Sequence, residues 1–210
     1  MANLFKLEAG KLNQFVGVLA EFLTAEQAEE VRTNPSLAAK MVAAITGAVT
    51  ALLRHIGIVA VGPTEAFVAK ERLIVDTGAK ACVRISSLGD NLKTWFGTKV
   101  EAAVGAERSL RYAELITGSL DAPIIAELGA TAETTLAEVF ALMERQKNGE
   151  EGVLLTNGWA NIFYVKDMDG ALRAVRVHWN GVGWDVNAYE VAIPHGWYGD
   201  YRVFSRNPGA

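Results

Sequence analysis

Apolar residues recur along this chain at two different periods, and the period changes near residue 152. Leu12, Phe15, Val16, Leu19, Phe22 and Leu23 follow one another at three- and four-residue spacing, which lines one face of a helix. Thr24, with Gln27 three residues on, matches a capping box that opens a short second helix reaching about Arg32. Asn34-Pro35 then sets a cap residue before a proline at the first helical position. Leu37, Met41, Ile45, Val49, Leu52 and Ile56 carry a further stripe to a stop at Gly57. The centre is mixed. Residues 58–61 read as a short strand ended by Gly62-Pro63, and 72–76 and 81–86 as strands about a Thr77-Gly78 turn. Residues 90–96 read as a helical turn. Asp121 reads as the cap of a short helix with Pro123 in its first turn and Gly129 as its stop. Leu136, Val139, Phe140 and Met143 mark one more helix, which runs into the polar segment 146–152.

Beyond that segment the pattern alternates. Strands are expected over 160–166, 171–179, 183–191 and 201–206, with Asp169-Gly170 and Asn180-Gly181 as hairpin turns. The whole reads as an α+β protein: a helical N-terminal part and mixed centre (1–148) form a scaffold, and an antiparallel β-sheet region (152–208) displays a ligand-binding surface.

Strand side chains point alternately to opposite faces. One face is expected to carry Ile162, Tyr164, Val175, Val177, Trp179, Trp184, Val186 and Ala188, and to be the core face. The other would carry Phe163, Val165, Leu172 and Ala174 near the first turn, then Arg176, His178, Asp185, Asn187 and Tyr189 toward the second, with Arg176 and Asp185 placed to pair across strands. The polar set continues into the loop His195, Gly196, Trp197, Tyr198, Gly199, Asp200, Tyr201. Residues 178–201 hold three Trp and three Tyr, whereas residues 1–94 hold neither type. Tyr and Trp give large contact area at small rotamer cost, and Asn and Gly adapt to a partner. Arg176, His178, Asp185, Asn187, Tyr189, His195, Trp197, Tyr198, Asp200 and Tyr201 are therefore the candidate contacts, and a protein is the expected partner.

Composition narrows the alternatives. Half the residues are apolar and the net charge is −4, which excludes a disordered chain and argues against a nucleic-acid binder, since phosphates demand clustered Lys and Arg. A single cysteine, Cys82, excludes a disulfide scaffold. Residues 41–53 carry no charge, but a bilayer needs about 20 apolar residues, so they read as a buried helix and no membrane partner is expected. No basic segment precedes an apolar run at the N-terminus, which points to the cytoplasm. No HExxH, GxGxxG, Walker A or GxSxG pattern occurs, so neither a metal nor another cofactor is expected. Two other functions stay open: a structural subunit of a phage or cellular assembly, homo-oligomeric through its apolar N-terminal helices, and a hydrolase-type enzyme using His178, Asp185 and His195.

The stretch Leu154-Leu155-Thr156-Asn157-Gly158-Trp159-Ala160-Asn161-Ile162-Phe163-Tyr164-Val165-Lys166 and the ending Arg202-Val203-Phe204-Ser205-Arg206-Asn207 resemble uncharacterised proteins of candidate-phylum bacteria with a diverse C-terminal region. That diversity is similar to the variable proteins of diversity-generating retroelements, in which a reverse transcriptase mutates adenines and Asn codons scatter into Tyr, Asp, His, Ser and Gly. The resemblance implies that His178, Asn180, Asp185, Asn187, Tyr189, His195, Tyr198, Asp200 and Tyr201 are of the diversified types. It also implies a C-type-lectin-like display fold.

Overall fold

The computed structural model describes residues 24–34, 51–191 and 196–207, and the chain divides into two compact units, Met1–Thr50 and Ala51–Ala210. In the first unit, helix α1 (Ala25–Thr33) opens on the expected capping box: Thr24 Oγ1 accepts from the Gln27 amide at 3.3 Å, and Gln27 Oε1 accepts from the Thr24 amide at 2.9 Å. The apolar stripes over 12–23 and 37–49, which carry most of the helical N-terminal expectation, lie outside the described residues.

The second unit is mostly sheet. Its elements in chain order are β1 (Leu53–Val61), β2 (Phe67–Val68), α2 (Ala69–Arg72), β3 (Ile85–Leu88), α3 (Asp90–Phe96), β4 (Val100–Glu101) and β5 (Arg108–Leu115). Then follow α4 (Asp121–Leu128), a 3-10 turn (Gly129–Thr131), β6 (Glu133–Thr134), α5 (Leu136–Arg145), β7 (Asn161–Lys166), β8 (Leu172–Trp179), β9 (Trp184–Glu190) and β10 (Arg202–Arg206). Strands β1, β3 and β5 precede the polar segment 146–152 and β7–β10 follow it, and all belong to one sheet. Among the described residues no helix is long and apolar enough to cross a membrane.

The sheet order is β1-β5-β10-β7-β8-β9-β3, with β6 beside β7. The C-terminal sheet is therefore not purely antiparallel as expected. β10 pairs antiparallel with β5 but parallel with β7, and β3 runs parallel to β9. The missing piece in the sequence reading is β5. Arg108, Arg111 and Glu114 interrupt its apolar positions, yet Leu110, Ala113 and Leu115 are buried, and the strand makes the slot that β10 fills. Residues 53–56, read as the end of a helix, belong to β1. Beyond them Val59 and Val61 turn inward while Ile58 and Ala60 turn out, so β-branched residues at period two override the helical spacing. Gly57, the expected stop, lies at a register shift, where a Cβ would sit 2.8 Å from the Tyr112 phenol oxygen. The strands read at 72–76 and 81–86 reduce to a one-turn helix, an isolated bridge between Asp76 and Ile85, and β3.

Other expectations hold. α3 spans the turn read at 90–96. α4 stops at Gly129, whose φ of 57° is left-handed, although Asp121 is its first residue rather than its cap. α5 opens on a second capping box, Thr135 with Glu138.

Both hairpins form at the expected turns, with Gly170 at φ 82° and Gly181 at φ 91°. The β8–β9 faces divide as expected, with Trp179 opposite Trp184 and Val177 opposite Val186 on one face, and His178 opposite Asp185 and Arg176 opposite Asn187 on the other. β7 is displaced by one position from the expected register. Phe163 lies opposite Val175, and Ile162 opposite Arg176. The loop 167–171 explains this: Asp167 accepts hydrogen bonds from the amides of Asp169 and Ala171, each at 2.9 Å, and fixes an odd-length connection. Phe163 and Val165 thus join the core under α3 and α5, where the Phe163 and Phe204 rings stack at 4.4 Å. Ile162 and Tyr164 join a second apolar cluster on the opposite face, beneath Ile124 of α4 and Trp197. That face is therefore roofed over β7 and part of β10, and on β8 and β9 it presents polar residues.

Candidate recognition surface

The β8–β9 turn is held from behind. Asn180 Oδ1 accepts from the amides of Val182 and Gly183, both at 3.1 Å, and its Nδ2 donates to Ser86 Oγ of β3 at 2.9 Å. Gly149 (φ 76°) lies so close beneath the Trp179 ring that no Cβ fits between them. With its base fixed, the turn presents four polar side chains in set positions. Asp185 Oδ2 lies 3.6 Å from Arg176 Nη2 and 3.9 Å from His178 Nδ1, and Asn187 donates to Asp185 Oδ1. Arg176, His178, Asp185 and Asn187 are all half-buried.

Burial pushes the His178 imidazole below its ordinary pKa, the Arg176 charge pushes it further, and Asp185 opposes both. The ring is therefore neutral at neutral pH. Its buried Nδ1 makes no hydrogen bond. The pair is thus a polar contact surface in which a carboxylate is shared among three neighbours. Among the described residues, no three His, Cys, Asp or Glu side chains converge as a metal site.

A second part of the surface is aromatic. The Arg176 guanidinium lies 5.9 Å from the Tyr189 ring centroid, which links the polar group to the rings. Tyr189 meets Trp197 edge-on at 5.6 Å, Trp197 lies 6.3 Å from Tyr201, and Tyr201 contacts Tyr198 at 5.9 Å and Trp159 at 5.7 Å. Burial raises the pKa of the Tyr201 phenol, with Arg176 opposing. The outer rings are open to solvent: Tyr198 is 69% exposed and Trp159 is 41% exposed.

The segment 196–201 is a strap tied at both ends. Trp197 exchanges backbone hydrogen bonds with Ser119 at 2.8 and 3.0 Å, and Leu115 accepts from Asp200 and donates to Tyr201, each at 2.8 Å. Asp200 has a φ of 68°, a left-handed conformation that Asp adopts more readily than most residues. Beneath the strap, Asp121 Oδ1 accepts from the Tyr164 phenol at 2.8 Å and from Trp197 Nε1 at 2.6 Å. Burial and the Asp121 carboxylate together push the Tyr164 phenol far above its ordinary range.

The structure brings Arg176, His178, Asp185, Asn187, Tyr189, Tyr198 and Tyr201 into one neighbourhood. Asp200 is exposed within the strap's turn. His195 lies outside the described residues. Trp197 differs from expectation. A ring flanked by glycine in a loop reads as surface, yet it is 2% exposed and anchors the strap from below. Trp159 was not among the sequence candidates. Its signal is the Asn157-Gly158 turn that precedes it, in which Gly158 has a φ of 91° and Asn157 Oδ1 accepts from the Trp159 amide at 3.2 Å. No family model, no curated protein and no solved structure matches the chain.

Proposed function

We propose that this protein is a non-enzymatic binding protein whose C-terminal β region recognises a protein partner. One observation carries the reading: the exposed Tyr198 and Trp159 rings flank Tyr201, beside a polar group on β8 and β9, and hydrogen bonds tie the β8–β9 turn and the 196–201 strap to the sheet and α4 beneath them. Exposed aromatic rings on a preorganised support lose little entropy on binding, which is why such residues dominate hot spots. In the same reading residues 178–201 correspond to the display region of retroelement variable proteins, held in a C-type-lectin-like manner. The support is that His178, Asp185, Asn187, Tyr189, Tyr198 and Tyr201, all of the diversified types, gather in one area. A reverse-transcriptase gene beside a near-copy of the segment encoding 178–201 is the corresponding genomic expectation. The cytoplasm is the proposed location; the free thiol of Cys82 suits a reducing compartment.

The test is affinity capture with the full chain and with Tyr198→Ala/Trp159→Ala. A partner bound by the wild type is expected to be lost from the double variant while the protein stays folded, its melting temperature lowered by about 2–10 °C, since two ring contacts with Tyr201 worth about 0.5–1.5 kcal/mol each are removed. Retention of the partner, or unfolding of the variant, overturns the proposal. A second reading, a subunit of an assembly, is favoured by β1. Among the described strands it is an edge, with Ile56 43% and Ile58 54% exposed, and such edges pair with other chains. A large particle that persists on dilution in size-exclusion chromatography would support that reading over the first.

A further inference from the structure

A cavity of about 140 Å³ lies on the sheet face beneath the end of α4, on the β1–β5–β10 side and away from the aromatic strap. His55, Arg111 and Ser205 rise from three adjacent strands into it, with Ser205 directly opposite Arg111 in the register and His55 opposite Ala113. Leu128 and Thr131 form its roof, and Glu127 stands at its side. Ser205 is 4% exposed, yet among the described residues its hydroxyl makes no hydrogen bond, and the Arg111 guanidinium has neither a hydrogen bond nor an ion pair. Both groups open onto the cavity and are free to meet a ligand there.

The acid beside them does not fill the gap. Glu127 Oε2 accepts from the Leu52 amide at 2.7 Å and its Oε1 from the Leu53 amide at 3.1 Å, so the carboxylate serves to hold the chain entering β1. Thr131 donates to the Leu128 carbonyl at 2.7 Å and has no proton left to offer. The uncommitted polar groups are therefore the Arg111 guanidinium fork, the Ser205 hydroxyl and the His55 imidazole, of which the guanidinium alone is fixed as a donor and a charge, set against the apolar walls of Leu53, Ala113 and Leu128.

We propose that this cavity binds a small monocarboxylate with a short alkyl tail, its carboxylate on Arg111 and Ser205 and its tail against Leu128. The volume matches about five liquid waters, which suits a ligand of about four to six heavy atoms. The planar guanidinium takes a carboxylate through two parallel hydrogen bonds. The Glu127 charge selects a monoanion over a dianion such as phosphate, because repulsion grows with the second charge. The site is independent of the recognition surface proposed above.

Isothermal titration of the full chain with propionate, inorganic phosphate and propionamide tests it. Propionate is expected to bind, with the other two at least about tenfold weaker, since losing a charged hydrogen-bonded pair costs about that factor or more. Arg111→Gln is expected to weaken propionate about tenfold or more, and Ser205→Ala by a smaller factor. Leu128→Phe, which fills the cavity without touching the donors, should also abolish binding and stands in should the Arg111 variant fail to fold. No propionate binding, phosphate binding as tight as propionate, or propionate affinity unchanged in Ser205→Ala and Leu128→Phe each overturns the proposal.

Discussion

Replacing Asp121 by alanine severs two attachments at once. Its Oδ1 is the shared acceptor for the Tyr164 phenol and the Trp197 indole, and all three residues are at most 2% exposed. Alanine leaves both donors buried without that acceptor. Each such loss costs about 1–3 kcal/mol, so the direct sum is about 2–6 kcal/mol. Removing a buried carboxylate also relieves its desolvation, which brings the expected loss to about 2–4 kcal/mol. Asparagine keeps an oxygen in place and gives up only the charge assistance, about 1–2 kcal/mol. Urea unfolding followed by far-UV circular dichroism measures both variants. Hydrogen exchange then tests where the loss falls: the amides of Ser119 and Trp197 should lose protection in Asp121→Ala, while those within β8 and β9 keep theirs relative to global unfolding. Equal stability of the alanine and asparagine variants, or uniform loss of protection across the sheet, would refute the view that Asp121 acts as the fastening of the strap.

Acid sensitivity should concentrate in the loop 167–171. Burial pushes the Asp167 carboxyl up, but hydrogen bonds from Arg173 and from the Ala171 and Asp169 amides, with the Arg173 charge, outweigh it and hold the group below its ordinary value. Its contribution is then present above the unfolded carboxylate value, about pH 4, and is lost as pH falls through the lower folded value; Asp167→Asn should flatten that limb of a stability-against-pH profile. Gly149→Ala should lower stability by about 1–3 kcal/mol in thermal or urea melts, through a left-handed backbone and a collision with the Trp179 ring.

The C-terminal half was legible because its turns are written in short-range chemistry. Asp169-Gly170 and Asn180-Gly181 need left-handed backbone at the glycine, and the flanking alternation of Val and Trp with polar residues fixes a face. The register of β7 was not legible, since it is set by the five-residue loop that the Asp167 carboxylate ties through the Asp169 and Ala171 amides, and the Asp-Gly signal alone does not fix a loop length. β5 escaped for a different reason: its charges are tolerated because Arg108 pairs with Glu138 of α5 and Glu114 with Arg54 of β1, and only the partners reveal that Leu110 and Leu115 are core. The polar group on β8 and β9 follows from alternation alone. The inward turn of Trp197 does not, because its cause is Asp121, far away in sequence, and no local pattern announces a long-range acceptor.

The place of β10 has a consequence for how the molecule is made. Of the described strands it is the last to leave the ribosome, yet it occupies an interior lane, with β5 on one side and β7 on the other. Until it arrives, two long rims with unsatisfied amides and carbonyls stand apart, and either can recruit a foreign strand. A nascent or clipped chain lacking residues 202–206 should therefore depend on chaperones and precipitate readily, whereas completing that lane seals both rims in a single late event.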